Sequence, residues 1–466
     1  MGGTFPRLLH TASLWTLIVF GLPGPAGAKL ATHMLLTDNA VLQQGIKVPV
    51  WGTTDSADEV KVSIAGQEQS AKPEGGKWRV TLSPLKAGGP LEMTITQGGD
   101  KLIVKNLLVG EVWLCGGQSN MQWEVHESGG AKEAIASAGN DKIRLFSVQR
   151  PGKQMSHANA WHVCDPDTVA KFSAVGYYFG RDLQKNLAVP IGLISSNLGG
   201  TTAERWMTAE TLASNPDLKD MTAPQGKHDL YDQMIKPLAP FAIRGAIWYQ
   251  GESNTDRAYH YRKVLPAMIG DWRKTFEVGD FPFLIVQLTS FQGLWPKRTE
   301  DWAELRESQL RTAQEVPNVA IAVTTDLGDK TDIHPQKKAE IGARLALIAR
   351  AKAYGEKIEY SGPLYDGMEN GGQRVTLRFS HVDGGLVADG PKLEGFTIAG
   401  EDKKFVPAAA EIVDNTVVVS SPEVDKPAAV RYDWQNLTKG NLRNKENLPA
   451  SPFRTDDWPT GTQNVK

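Results

Sequence analysis

Two short segments of this chain pair residue types that could carry out acyl transfer. Ser119 stands in Gly116-Gly117-Gln118-Ser119-Asn120-Met121, just after the apolar, β-branched run 107–115. Two glycines let the backbone turn sharply. A hydroxyl placed just past such a turn, at the mouth of a strand, is exposed beside its own backbone N–H, which is what an acyl-transfer nucleophile needs. Asp332-Ile333-His334 sets a carboxylate and an imidazole two residues apart. Ser…Asp…His is one of the chain orders in which hydrolytic triads occur. In that reading Ser119 attacks, and His334 takes its proton and returns it to the leaving group. Asp332 fixes the tautomer of the imidazole and stabilises the imidazolium. The plainer alternatives are a solvated loop serine and a histidine that caps a helix beside Pro335. Asp326 and Asp329 are rival carboxylates in the same loop. With Asp332 and His334 they would make a metal site, but hard-cation loops have regular spacing and more side-chain oxygens, so no metal is expected.

An acyl-transfer site also needs donors aimed at the developing oxyanion. The backbone N–H of Ser119 is the first expected donor. Gly199 or Gly200 would give a second, because a backbone without Cβ can approach closely. A side-chain amide, Gln250 or Asn254, would give the third. Each is also an ordinary turn residue. Their placement on successive strand ends is what carries the reading.

Those ends belong to a pattern that begins near residue 107. Apolar runs at 107–115, 189–195, 241–249, 283–288 and 319–324 alternate with helical stretches at 173–186, 259–276 and 302–314. A last helix is expected from Pro335 to about 350, with proline at its first position. Strands of this kind predict an α/β fold, a parallel sheet with helices on both faces. Ligands of such sheets sit beyond the carboxyl ends of the strands, and the polar clusters above follow four of the five. On either side the pattern is β: short, partly alternating runs bounded by Gly, Pro, Asp or Ser at 29–106, and again at 357–466. The expected divisions are therefore 1–28, 29–106, 107–356 and 357–466, with an irregular tail from Asn436.

Composition sets bounds. A chain of 466 residues is long enough for about two to four domains. At 41% hydrophobic and 22% charged residues it is an ordinary globular chain, and a formal net charge of −2 gives no footprint for nucleic acid. Arg7, the apolar run 14–20 and Ala26-Gly27-Ala28 read as a secretory signal cleaved after Ala28, too short to span a bilayer. The mature chain is thus expected to be exported, periplasmic or secreted, without membrane insertion. Cys115 and Cys164 are expected to be free thiols, the first inside a buried strand. The 13 tryptophans could face carbohydrate, but core packing is the commoner use.

The blocks named so far, together with Gly199-Gly200-Thr201 and Trp206, Trp248-Tyr249-Gln250-Gly251-Glu252-Ser253-Asn254 and His334-Pro335, resemble the sialate O-acetylesterase family, a branch of the SGNH hydrolases. Val41-Leu42-Gln43-Gln44-Gly45 and Val48-Pro49-Val50-Trp51-Gly52 resemble it too, so the likeness spans nearly all of the chain after residue 28. It implies an SGNH-type fold and a serine esterase that removes O-acetyl groups from sugars, with no cofactor. It assigns Ser119 as nucleophile, His334 as base and Asp332 as the acid. It implies oxyanion donors from Ser119, from the Gly199-Gly200 turn and from the Gln250 block. The closing motif departs from the superfamily's Asp-x-x-His by one residue. On the substrate side Gln118, Arg205, Trp206 and Glu252 are candidates: Arg205 could meet a sialic carboxylate, Trp206 a sugar ring, and Glu252 could orient its neighbours. Acetylated xylan or xyloglucan is an alternative substrate. A non-catalytic carbohydrate-binding protein is the alternative of a different class, and a lipase-like hydrolase is a third.

Overall fold

The computed structural model describes residues 1–3, 29–219, 229–293 and 298–465. The expected signal segment, 1–28, lies outside them apart from its first three residues. Seven strands of the main sheet concern the site. They are β1 (Asp100–Gly117), β2 (Asn140–Ser147), β3 (Trp161–Cys164), β4 (Ile191–Asn197), β5 (Gly245–Tyr249), β6 (Phe283–Val286) and β7 (Val319–Ala322). Their spatial order is β3-β2-β4-β1-β5-β6-β7. All neighbours run parallel except β3, which closes one edge antiparallel to β2. The molecule is thus a mixed α/β fold with a large mixed sheet and further β-sheet regions.

Four long helices cover the sheet: α1 (Ala174–Leu187), α2 (Ala258–Phe276), α3 (Asp301–Glu315) and α4 (Lys338–Lys352). Successive residues of β1 show that both faces are covered, because side chains alternate across a strand. A Cβ on Gly176 of α1 would sit 3.1 Å from the sulfur of Cys115. A Cβ on the next residue, Gly116, would sit 2.7 Å from the ring of Trp272 in α2. Cys115 and Cys164 are buried free thiols. Burial pushes the Cys164 thiol up to about 12 and Cys115 higher still.

Three sequence expectations are corrected here. Strands β2 and β3 escaped the reading, because β2 opens on Asn140, Asp141 and Lys142 and shows an apolar face only over Ile143–Phe146. Pro335 does not start a helix: α4 begins at Lys338, and Pro335 lies in the non-helical approach to it. The tail beyond Asn436 is not wholly irregular, since Leu442–Asn444 pairs with Leu386–Ala388 and Phe453–Arg454 with Ala429–Tyr432. Two- and three-residue strands are too short to show a period.

β1 also joins two sheet regions. Its first half pairs with Gly88–Gln97, and its second half runs between β4 and β5. The expected division at residue 106 falls inside this strand. One hydrophobic core extends from Leu30 to Ala349, and a second, around Val375, Leu377, Ile398, Val417 and Tyr432, serves the C-terminal strands. Trp113, Trp206, Trp248, Trp272 and Trp302 are all fully buried. Among the described residues no helix is long and apolar enough to cross a membrane.

Candidate active site

After β1 the chain builds β2, β3 and β4 on one side of it and then β5, β6 and β7 on the other, so the carboxyl end of β1 is where the strand order switches and a crevice opens. Gly117 ends the strand with φ +142°, and a Cβ there would lie 2.1 Å from the Tyr249 carbonyl oxygen. Only glycine fits that approach. The Gln118 N–H donates to that same oxygen at 3.0 Å, and its side-chain oxygen accepts from the Ser253 N–H at 3.2 Å. Gln118 is buried and ties the end of β1 to the loop after β5. Ser119, half-buried, opens the one-turn helix Ser119–Gln122.

The loop after β7 brings His334 to it. The imidazole Nε2 lies 2.9 Å from the Ser119 Oγ. The ring stacks on Trp123, with centroids 4.5 Å apart and planes at 22°. Asp332 does not meet the ring as a triad carboxylate would. Its Oδ1 is 4.0 Å from Nδ1, too far for a hydrogen bond, and instead accepts from the His334 backbone N–H at 2.8 Å. One residue between Asp and His closes a tight turn, and the carboxylate is used in making it. Burial lowers the pKa of His334 below its usual 6.5, and the nearby Lys338 ammonium lowers it further against Asp332 and Glu127. The imidazole is therefore neutral near pH 7, able to accept the serine proton.

Three expected oxyanion donors are engaged elsewhere. The Gly199 N–H donates to the Gln122 side chain at 2.8 Å. Gln250 is fully buried and gives its amide to the Thr201 carbonyl and to Asn254. Asn254 gives its own amide to the Glu204 carboxylate. Both amides stitch the β5 loop to the β4 loop. The Gly199-Gly200 turn does lie against the nucleophile: a Cβ on Gly199 would sit 3.2 Å from that of Ser119. Of the substrate-side candidates, Arg205 grips Asp229 bidentately at 2.9 Å. Trp206 is buried against Trp248, its ring N–H on Thr201. Neither is placed as a sugar platform. Glu252 is buried beside Asn120. Asp326 lies between Arg344 and Arg443, and Asp329 binds the backbone of its own turn. The four-residue metal set is not assembled, and no other cluster suited to a metal occurs among the described residues.

Residues 109–350, from β1 into α4, match the model of a family described as carbohydrate esterase, sialic acid-specific acetylesterase. The sialate O-acetylesterase of Homo sapiens is 34% identical over 478 aligned positions, covering 89% of this chain and 91% of the relative. That of Mus musculus is 33% identical, covering 87% and 90%. The chain belongs to this family. A crystal structure of a carbohydrate acetylesterase from Xanthomonas citri superposes with a TM-score of 0.85 at 39% identity, covering 92% of this chain and all of that one. The chain is accordingly an esterase of the sialate O-acetylesterase kind.

Sequence reasoning missed Trp123, Asn120 and Lys338. Two of them had a visible signal. Trp123 follows Ser119 by four residues, and Lys338 follows His334 by four. In a helix that spacing returns to the same face, but neither segment is a regular helix throughout. Asn120 lay inside the motif and was passed over for its neighbour.

Proposed function

We propose that this esterase removes O-acetyl groups from sugars by a serine mechanism with Ser119 as nucleophile and His334 as its base. One observation carries the reading: an imidazole nitrogen 2.9 Å from a half-buried serine hydroxyl at the switch point of the sheet. His334 Nε2 takes the Ser119 proton as Oγ attacks the acetyl carbonyl. The Ser119 N–H faces the developing oxyanion. The bond from carbonyl carbon to sugar oxygen then breaks, and the imidazolium returns the proton to that oxygen. Water, activated by the same imidazole, attacks the acetyl-serine, and acetate leaves. Asp332 supports the loop in this scheme rather than bonding to the imidazole. The sheet, with Ser119 after its first strand and His334 after its last, supports an SGNH-type assignment. The strand regions 29–106 and 357–466 are read as accessory to the catalytic region 107–356. The segment 1–28 is read as an export signal, giving a periplasmic or secreted enzyme.

Sialic acids are the first substrate class, from the names of the curated relatives. A second class has its own support. The Xanthomonas relative is named only for carbohydrate acetylester cleavage, and Arg205, the expected partner of a sialic carboxylate, is bonded to Asp229. Acetate release from O-acetylated sialic acid, acetylated xylan and acetylated xyloglucan decides between them. The expected result is release from at least one that is abolished in Ser119→Ala. A folded chain that binds these sugars without releasing acetate would favour the carbohydrate-binding reading and end the esterase one.

A further inference from the structure

Three buried polar side chains sit directly behind Ser119 and His334 and take no part in the steps above. Lys338, in the first turn of α4, is fully buried, and its Nζ donates to the Asn120 side-chain oxygen. The Asn120 amide nitrogen donates to Glu252 Oε1 at 2.5 Å and to the Ile333 carbonyl at 3.0 Å. A primary amide has one acceptor end and one donor end. Because the lysine takes the oxygen, the NH2 must face Glu252 and Ile333. Asn120 adjoins Ser119, and Ile333 adjoins His334. One side chain therefore ties the turn of the nucleophile to the loop of the base.

Burying an ammonium and a carboxylate is costly unless both are bonded. Glu252 Oε2 has no hydrogen-bond partner among the described residues, so the cluster is not the cheapest filling for this space. Its charge also reaches the reacting pair. His334 faces Lys338 on α4, Asp332 on its own loop and Glu127 on the turn beyond Trp123; the two carboxylates favour the imidazolium, and Lys338 opposes it. Burial brings Lys338 down to about 7, so the lysine carries its charge below that pH. The Lys338 Nζ lies 5.9 Å from the Trp123 ring centroid, on the ring that stacks on His334.

We propose that Lys338, Asn120 and Glu252 form a positioning relay that holds His334 on Ser119 and drives the proton of the imidazolium toward the leaving alcohol. It rests on the Ser119–His334 reading above. A triad carboxylate steadies the imidazolium. This relay does the mechanical part of that task with the opposite charge, which favours a neutral base and a stronger acid. That bias suits a sugar alkoxide, a poor leaving group that must be protonated as it departs.

The test uses the whole chain and a chromogenic acetate ester across about pH 5 to 8, the range in which histidines titrate. Lys338→Met keeps the length of the side chain and removes its charge. It is expected to displace the acid limb of kcat/KM to higher pH, because loss of a neighbouring cation raises the pKa of His334. Asn120→Ala is expected to lower kcat about 100-fold with KM unchanged, and to slow labelling of Ser119 by a fluorophosphonate in parallel. Thermal unfolding checks that each variant folds. If Lys338→Met does not fold, the Asn120→Ala result decides. An unmoved acid limb in folded Lys338→Met, or wild-type kcat in Asn120→Ala, overturns the relay while Ser119→Ala stays inactive. Turnover that persists in Ser119→Ala overturns the reacting pair and the relay with it.

Discussion

A serine hydroxyl is a weak nucleophile until a base takes its proton, and His334 at 2.9 Å is placed to do so. What holds the imidazole is a stacked tryptophan and a backbone tied down by Asn120, with Asp332 standing 4.0 Å from the ring nitrogen. Two expectations follow. Asp332→Asn should cost kcat less than about tenfold, whereas loss of a bonded triad carboxylate costs about 10⁴-fold. Steady-state kinetics on an acetate ester measures this, and a loss of the larger size would mean that Asp332 bonds the imidazole during turnover. Second, the pKa of His334 lies below 6.5, so its base form persists as pH falls past neutrality. The acid limb of kcat/KM should therefore lie below pH 6.5; a limb above that value would contradict the burial argument. Ser119 and His334 were legible in the sequence because their types and chain order are chemically restrictive. The amides of Gln250 and Asn254 were misread, because a glycine- and amide-rich loop looks the same whether it faces a substrate or stitches two loops together. Only the partners at Thr201 and Glu204 tell them apart.

At the scale of elements, the site depends on how closely backbones approach. Gly117 combines a left-handed-side φ of +142° with a Tyr249 carbonyl 2.1 Å from any added Cβ. Gly117→Ala should destabilise the fold by about 3 kcal/mol, from strain and displaced backbone. Chemical denaturation measures it, and a change within about 0.5 kcal/mol, as for an ordinary surface substitution, would mean the turn is looser than it looks. The five expected strands were found because each is buried on both faces and reads as a continuous apolar run. The helices 174–187, 258–276 and 301–315 were found within two residues of their observed ends, because each shows a helical period. β2 and β3 were not found. β2 begins polar and lies second from the edge, and β3 spans four residues, so neither had the length or the alternation to stand out.

The whole molecule is bound together by polar clamps that no local pattern announces. Arg306 of α3, fully buried, donates to the carbonyls of Leu288 and Thr289 after β6 and to those of Gln435 and Asn436 from the C-terminal region. Arg454 bonds Glu307 at 2.9 Å, and Thr462 bonds Glu304 at 2.8 Å. Removing residues 357–466 would strip Glu304, Arg306 and Glu307 of these partners and uncover the surface they hold together, at a cost of several kcal/mol. Such a truncated chain is expected to be insoluble or to unfold at a lower temperature than the full chain in a thermal scan; a truncated chain of full stability would show that the C-terminal region is independent. Sequence made the β character of that region visible but not its attachment, because the contacts join residues more than a hundred positions apart. The central claim concerns one hydroxyl and one imidazole, and the most direct measurement is turnover of an acetate ester by Ser119→Ala and His334→Ala beside the parent chain. The expected result is a fall in kcat of about 10⁴-fold or more in each, as for members of a working triad, with unchanged thermal unfolding. Turnover near the parent rate in folded Ser119→Ala would contradict the account.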